Sequence, residues 1–168
     1  MSRASDRSAR VAGTLANAVG KGLFAGFAGT AAMTLSSTLE ARARRRRPSD
    51  APARATAKVL GIASFEDDLA AARFNDLSHW AYGTGWGVIR GLLAATGMSA
   101  RAATAAHAAA IWGSAQVALP ALEVAPPAVS WPPEEIAIDL FHHAVYAIAT
   151  GAAYALLDAS GESGTRHG

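Results

Sequence analysis

Four long stretches of this chain carry apolar residues with scarcely a charge, and polar segments separate them. They run over about 15–39, 74–96, 103–122 and 135–157. Each has roughly the 20 residues that an α-helix needs to cross a bilayer core. Pro120 closes the third stretch, and the Pro-rich connector from Ala125-Pro126-Pro127 to Trp131-Pro132-Pro133 cannot be helical throughout. Glu134 and Glu135 open the fourth, where acidic side chains suit the positive end of a helix dipole. A soluble Ala-rich bundle would need a charged outer face on each helix. The second stretch offers only Arg90 after Asp76, the third nothing between Arg101 and Glu123, and the fourth nothing between Asp139 and Asp158. The pattern therefore predicts an all-α protein, a four-helix transmembrane bundle built as two tandem helical hairpins.

The flanks follow from composition. Residues 1–12 are polar and predicted disordered, and 159–168 form a Ser/Gly-rich flexible tail, which leaves 13–158 as one membrane domain. Within the basic loop 40–73, Ala53, Ala57, Leu60 and Ile62 line one side of a short helix, with Arg54 and Lys58 on another. Such a helix lies on the membrane surface or simply connects in solvent. A cleaved signal peptide is the rival for the first stretch. No clean small-x-small site ends it, and Arg42 and Arg44 to Arg47 follow at once, which resists translocation.

Charge enters next. The 168 residues are 51% hydrophobic and 17% charged, below the roughly 25% of soluble proteins. Mean hydropathy is only +0.18, because Ala and Gly are weakly hydrophobic though favoured where membrane helices touch. The absence of Cys excludes disulfides, thiolate metal sites and cysteine nucleophiles. Arg outnumbers Lys thirteen to two, as a GC-rich bacterial genome would give. The run Arg44, Arg45, Arg46 and Arg47 abuts a helix end and fits anionic lipid headgroups, at about 1 kcal/mol per charge near the surface. It lacks the interleaved aromatics of a nucleic-acid module. With that loop in the cytoplasm both termini lie outside.

Small residues recur every four positions at Gly22 and Gly26, at Gly83, Gly87 and Gly91, and at Ala147, Gly151 and Ala155. This is the spacing that lets helix backbones approach, and it reads Gly83-Thr84-Gly85-Trp86-Gly87 as packing rather than a phosphate loop. A second repeat carries chemistry. Asp76-Leu77-Ser78-His79 and Asp139-Leu140-Phe141-His142 each put an aspartate and a histidine three residues apart on one helix face, with His143 beside the second. Ionisable groups inside a membrane segment are costly and mark function or paired packing. Gly29-Thr30-Ala31 and Gly113-Ser114-Ala115 extend the similarity, so a duplicated hairpin would bring Asp76, His79, Asp139 and His142 to the same end of the bundle. Those groups suit interhelical hydrogen bonding, a proton or ion path, or a metal ion, with Glu40 and Glu123 as further acids from the other two helices. A metal is the one cofactor the pattern allows, and no residue has the context of a catalytic nucleophile.

From His79-Trp80-Ala81-Tyr82-Gly83 through Asp139-Leu140-Phe141-His142-His143 the chain resembles small uncharacterised bacterial inner-membrane proteins of the YagU type. The likeness is one of layout over about residues 15–157: short helices, intramembrane His and Trp, and a Pro/Trp connector before the last helix. It implies a multi-pass protein of the bacterial cytoplasmic membrane and transfers no active-site residue. The expected role is non-enzymatic, through lipids, partner helices or a second copy of the chain. A small proton or ion transporter and a metal-dependent membrane enzyme are the alternatives.

Overall fold

The computed structural model describes residues 3–165. They form five α-helices: α1 Arg3–Ala43, α2 Ala51–Leu60, α3 Asp68–Ala95, α4 Ala100–Ala121 and α5 Pro133–Thr165. A 3₁₀ turn, Ala128–Ser130, sits in the Pro-rich connector, and no strand occurs among the described residues. The protein is all-α, as the apolar pattern predicts.

Local chemistry sets the helix ends. The Asp67 side chain accepts from the Ala70 amide at 2.7 Å and starts α3, and Ser99 does the same for α4 through Ala102 at 3.3 Å. Gly97, at φ 84°, supplies the left-handed residue that turns α3 into α4. Pro52 occupies the first turn of α2, and Gly61, at φ 69°, ends it.

Several boundaries depart from the sequence reading. The segment 1–12 is not a loose tail over its described part, because α1 is already helical at Arg3. At 41 residues and 1.5 Å per residue, α1 is roughly 60 Å long, about twice a bilayer core. Residues 5–17 are exposed on every side, and packing begins at Ala18. The loop 40–73 holds all of α2 and the first turns of α3, and α5 runs to Thr165 rather than stopping near 157. Helices outrun their apolar cores here because polar Ser, Arg and Glu continue a helix at little cost.

The long helices make an up-down-up-down bundle. Gly22 meets Gly87, Ala18 meets Gly91 and Thr30 meets Gly83, so α1 and α3 are antiparallel. Gly29 lies against Tyr146 and Thr150, and Thr104 against Gly151, so α5 is antiparallel to both α1 and α4. It follows that α3 and α5 run parallel, with their Asp/His phrases at the same end. The glycine spacing is therefore packing: a Cβ on Gly26 would lie 2.6 Å from the Thr84 carbonyl oxygen and 2.8 Å from Gly87 Cα. The duplication reaches less far in α1 and α4. Gly29 abuts another helix, whereas a Cβ on Gly113 would meet nothing within 4 Å.

Burial is reversed relative to a soluble bundle. Thr30, Ser78, Arg90, His107, His142 and Thr150 are buried, while the buried apolar residues are chiefly alanines with Ile111, Val124, Tyr146 and Tyr154. The large apolar side chains point outward: Phe24 is 74% exposed, Leu35 63%, Val117 71% and Ile148 65%. Among the described residues one helix, over Pro133–Gly161, is long and apolar enough to cross a membrane. The other long helices fall short of that standard, diluted by Gly, Ser, Thr and His, of which Thr30, Gly83, Gly87 and His107 are buried inside the bundle.

Candidate functional site

A cavity of about 990 Å³ opens at the end of the bundle where α1 and α4 finish and α3 and α5 begin. Helix α2 and the Pro-rich connector border it, and Lys58 Nζ of α2 pairs at 3.3 Å with Oε2 of Glu123, just past the end of α4. Ala53 and Ala57 of α2 are buried but do not line the cavity; Pro52, Ala55, Thr56, Val59 and the exposed Leu60 do. Tyr146, Gly83, Thr30 and Ile111 lie at its inner end.

All five residues of the sequence-predicted cluster, Asp76, His79, Asp139, His142 and His143, line this cavity. Their partners come from other helices. His79 Nε2 is hydrogen-bonded to Thr34 Oγ1 at 2.9 Å, and His142 Nδ1 to Ser36 Oγ at 2.9 Å, so α1 holds both imidazoles. Trp112 Nε1–H donates to Asp139 Oδ2 at 2.9 Å. His143 Nδ1–H donates to the Asp139 carbonyl at 2.8 Å, and the same nitrogen is 3.5 Å from Asp139 Oδ1. Asp76 makes no hydrogen bond or ion pair among the described residues and is exposed. His142 is 5% exposed, and its Nε2, 3.6 Å from Glu40 Oε2, has no hydrogen-bond partner. Asn75 Oδ1 and Gln116 Nε2, from two residues that also line the cavity, are likewise buried and unpartnered.

The acids expected from the other two helices have separate work. Glu40 accepts from Arg46 Nε at 3.0 Å and from Arg44 Nη1 at 3.3 Å, with a second contact from Arg46 Nη2. Glu123 pairs with Lys58. Among the described residues no three His, Asp or Glu side chains are gathered closely enough to hold a metal ion.

The arginine run divides in two. Arg44 also pairs with Glu135 at 2.6 Å and Glu134 at 3.4 Å, which ties α1 to α5 beside the cavity mouth. Arg44 and Arg46 are thus committed to carboxylates, while Arg45 and Arg47 stay exposed on the loop. The hydrogen bond from Arg46, its charge and the nearby Arg44 hold the Glu40 carboxyl below the usual carboxylate range against a smaller effect of burial. Its folded-state pKa is depressed, so its stabilisation is fully present above the unfolded value near 4.5 and is lost as pH falls through the folded one. The melting temperature of the wild type should fall as pH drops below about 4.5, and Glu40→Gln should flatten that part of the profile. Parallel slopes for the two proteins would remove Glu40 from the clamp.

Other residues escaped the sequence reading. Thr34 and Ser37 follow Thr30 at helical spacing on the cavity side of α1, a polar face already visible in the chain. Trp112 and Tyr146 act across helices, which spacing within one helix cannot reveal. Arg90, the one charge of the second apolar stretch after Asp76, is 1% exposed at the other end of the bundle. Its guanidinium sits 4.7 Å from the centroid of the Tyr154 ring, and Nη2 reaches the Ala100 carbonyl at 3.5 Å. His107 also stays out of the cavity, with Nε2–H donating to the Trp86 carbonyl at 3.0 Å. No family model matches the chain, and no curated protein and no solved structure is detectably similar to it.

Proposed function

We propose that this is an integral membrane protein, multi-pass in a bacterial cytoplasmic membrane, whose four long helices span the bilayer. Its work is binding rather than catalysis, with a small amphiphilic molecule held in the cavity at one interface and lipid covering the outer faces. The single observation that supports this reading is the reversed burial. Phe24, Leu35, Val117 and Ile148 face outward while Thr30, His107, His142 and Thr150 are enclosed. In water each large exposed apolar side chain forgoes about 1.5–3 kcal/mol of burial, whereas in hydrocarbon that surface is at home. The cavity is within the size range of small-molecule sites and mixes apolar walls with a few polar groups. The layout likeness to YagU-type inner-membrane proteins agrees with this location.

The absence of native Cys makes the test direct. Single cysteines at Phe24, Ile148 and Arg54 would be challenged with a membrane-impermeant maleimide in permeabilised membranes. Phe24→Cys and Ile148→Cys should stay unlabelled until detergent is added, and Arg54→Cys should label at once. Equal labelling at all three would refute the spanning arrangement.

A further inference from the structure

The clamp of charges that ties α1 to α5 is one proton short of balance. Glu40, Glu134 and Glu135 set three carboxylates against the guanidiniums of Arg44 and Arg46. His142 meets this clamp from α5, with Nε2 3.6 Å from Glu40 Oε2, the oxygen that Arg46 Nη2 also contacts. Both side chains are shielded from water, at 6% and 16% exposed. The other ring nitrogen, Nδ1, lies 2.9 Å from Ser36 Oγ, and that oxygen is 3.0 Å from the Met33 carbonyl. A neutral imidazole carries a single N–H, so it gives a proton to Ser36 or to Glu40 but never to both. An imidazolium satisfies the whole set: Nδ1–H donates to Ser36, Ser36 donates to Met33, and Nε2–H faces the carboxylate.

We propose that His142 is a proton-operated latch on this clamp: on taking a proton it draws Glu40 Oε2 away from Arg46 and loosens the loop 44–50 that leads into α2. The proton comes from solution to a ring nitrogen, and no covalent bond is broken. A carboxylate shielded from water attracts a new unit charge beside it more strongly than it would in solvent. Arg46 then keeps Glu40 through Oε1 alone, where its Nε donates at 3.0 Å, and the two-point contact is lost. Arg46, Pro48 and Ser49 of that loop line the cavity, so its mouth changes with the proton. The other charges that face the ring are Arg46 itself, which opposes protonation, and Asp139 one turn back on α5, which favours it. His143 is occupied on Asp139, and α3 adds Asp76 and His79 to the same cavity, the second tied to Thr34. Neither α2 nor α4 lines it with an ionisable side chain. The latch works whatever the cavity holds.

Nuclear magnetic resonance of the full chain in zwitterionic nanodiscs, with nitrogen-15 in the histidine rings, reads the proton directly. Of the five histidines, His142 is identified by the signals lost in His142→Gln. Between about pH 8 and about pH 5, where histidine ordinarily changes charge, both of its ring nitrogens should become protonated. In Glu40→Gln, which keeps an acceptor without the charge, the ratio of charged to neutral His142 at about pH 5 should fall at least about tenfold. The loop is followed by the distance between nitroxides at Arg47→Cys and Val129→Cys, one on the loop and one in the connector, in a chain with no native Cys. Acid should add a second distance in this labelled chain and should not when His142→Gln is also present. If His142 keeps a single N–H at about pH 5, or charges as readily in Glu40→Gln, the latch is wrong. If it charges and the distance stays the same, the proton does not move the loop and the proposal falls as well. Neither failure touches the maleimide result, on which the membrane arrangement stands separately.

Discussion

Gly87→Ala should lower the stability of the folded protein by about 1–3 kcal/mol, the range for overpacking, while Gly85→Ala raises it by up to about 1 kcal/mol. The two glycines lie two positions apart on α3. A Cβ on Gly85 would meet nothing within 4 Å, so alanine there only removes backbone freedom from the unfolded chain. A Cβ on Gly87 would run into the backbone of α1, at the Gly22 carbonyl oxygen and at the nitrogen and Cα of Gly26. No side chain can rotate away to make room, so the two helices must separate along the whole seam from Ala18–Gly91 to Thr30–Gly83. Thermal unfolding of the two variants in one detergent, with circular dichroism as the readout, provides the comparison. Equal shifts of the same sign would mean that α1 and α3 do not meet as described.

That contrast marks where the sequence was readable. Spacing of four identifies small residues that share a helix face, so Gly83, Gly87 and Gly91 were legible as a seam before any partner was known. What lies opposite was not, because Gly22 and Gly26 carry the same signal as any other pair of small residues. The Asp/His phrases were legible for a similar reason: ionisable groups stand out in apolar stretches, and two copies at the same offset imply a common end if their helices run parallel. The cavity was not legible. It arises where alanines, serines and threonines of α1 and α4 leave space that α2 and the connector border without filling, and volume of that kind exists only after four helices have taken their places. Arg90 shows the opposite failure. A basic residue near the end of an apolar stretch reads as one that reaches for water, yet Tyr154 takes its guanidinium inside the bundle. The N-terminal extent of α1 was missed because polarity argues against a membrane segment but not against a helix.

Tyr146→Ala should cost about 3–5 kcal/mol, the range for deleting a buried aromatic ring, and Tyr146→Phe about 1 kcal/mol. Tyr146 is 1% exposed and forms the inner end of the cavity. Its ring packs with Ile111 and Ala147, stands 5.5 Å from the His107 ring, and lies against Gly29. Its hydroxyl donates to the Gly83 carbonyl at 2.6 Å, so one side chain of α5 touches α1, α3 and α4 at once. The phenylalanine variant removes only that hydrogen bond. The Gly83 carbonyl is a helix acceptor, so it keeps a backbone donor and the loss stays small. The alanine variant removes the ring as well, and the surrounding helices cannot collapse fully because glycine contacts already hold α1 and α3 at their closest approach. The new space should join the existing cavity and lengthen it toward His107. A longer apolar probe should therefore gain affinity in Tyr146→Ala relative to Tyr146→Phe, provided the variant is assayed below its lowered melting temperature. If both variants lose the same stability, the ring contributes little and Tyr146 is held by its hydroxyl alone, which would leave the inner end of the cavity without the packing described for it.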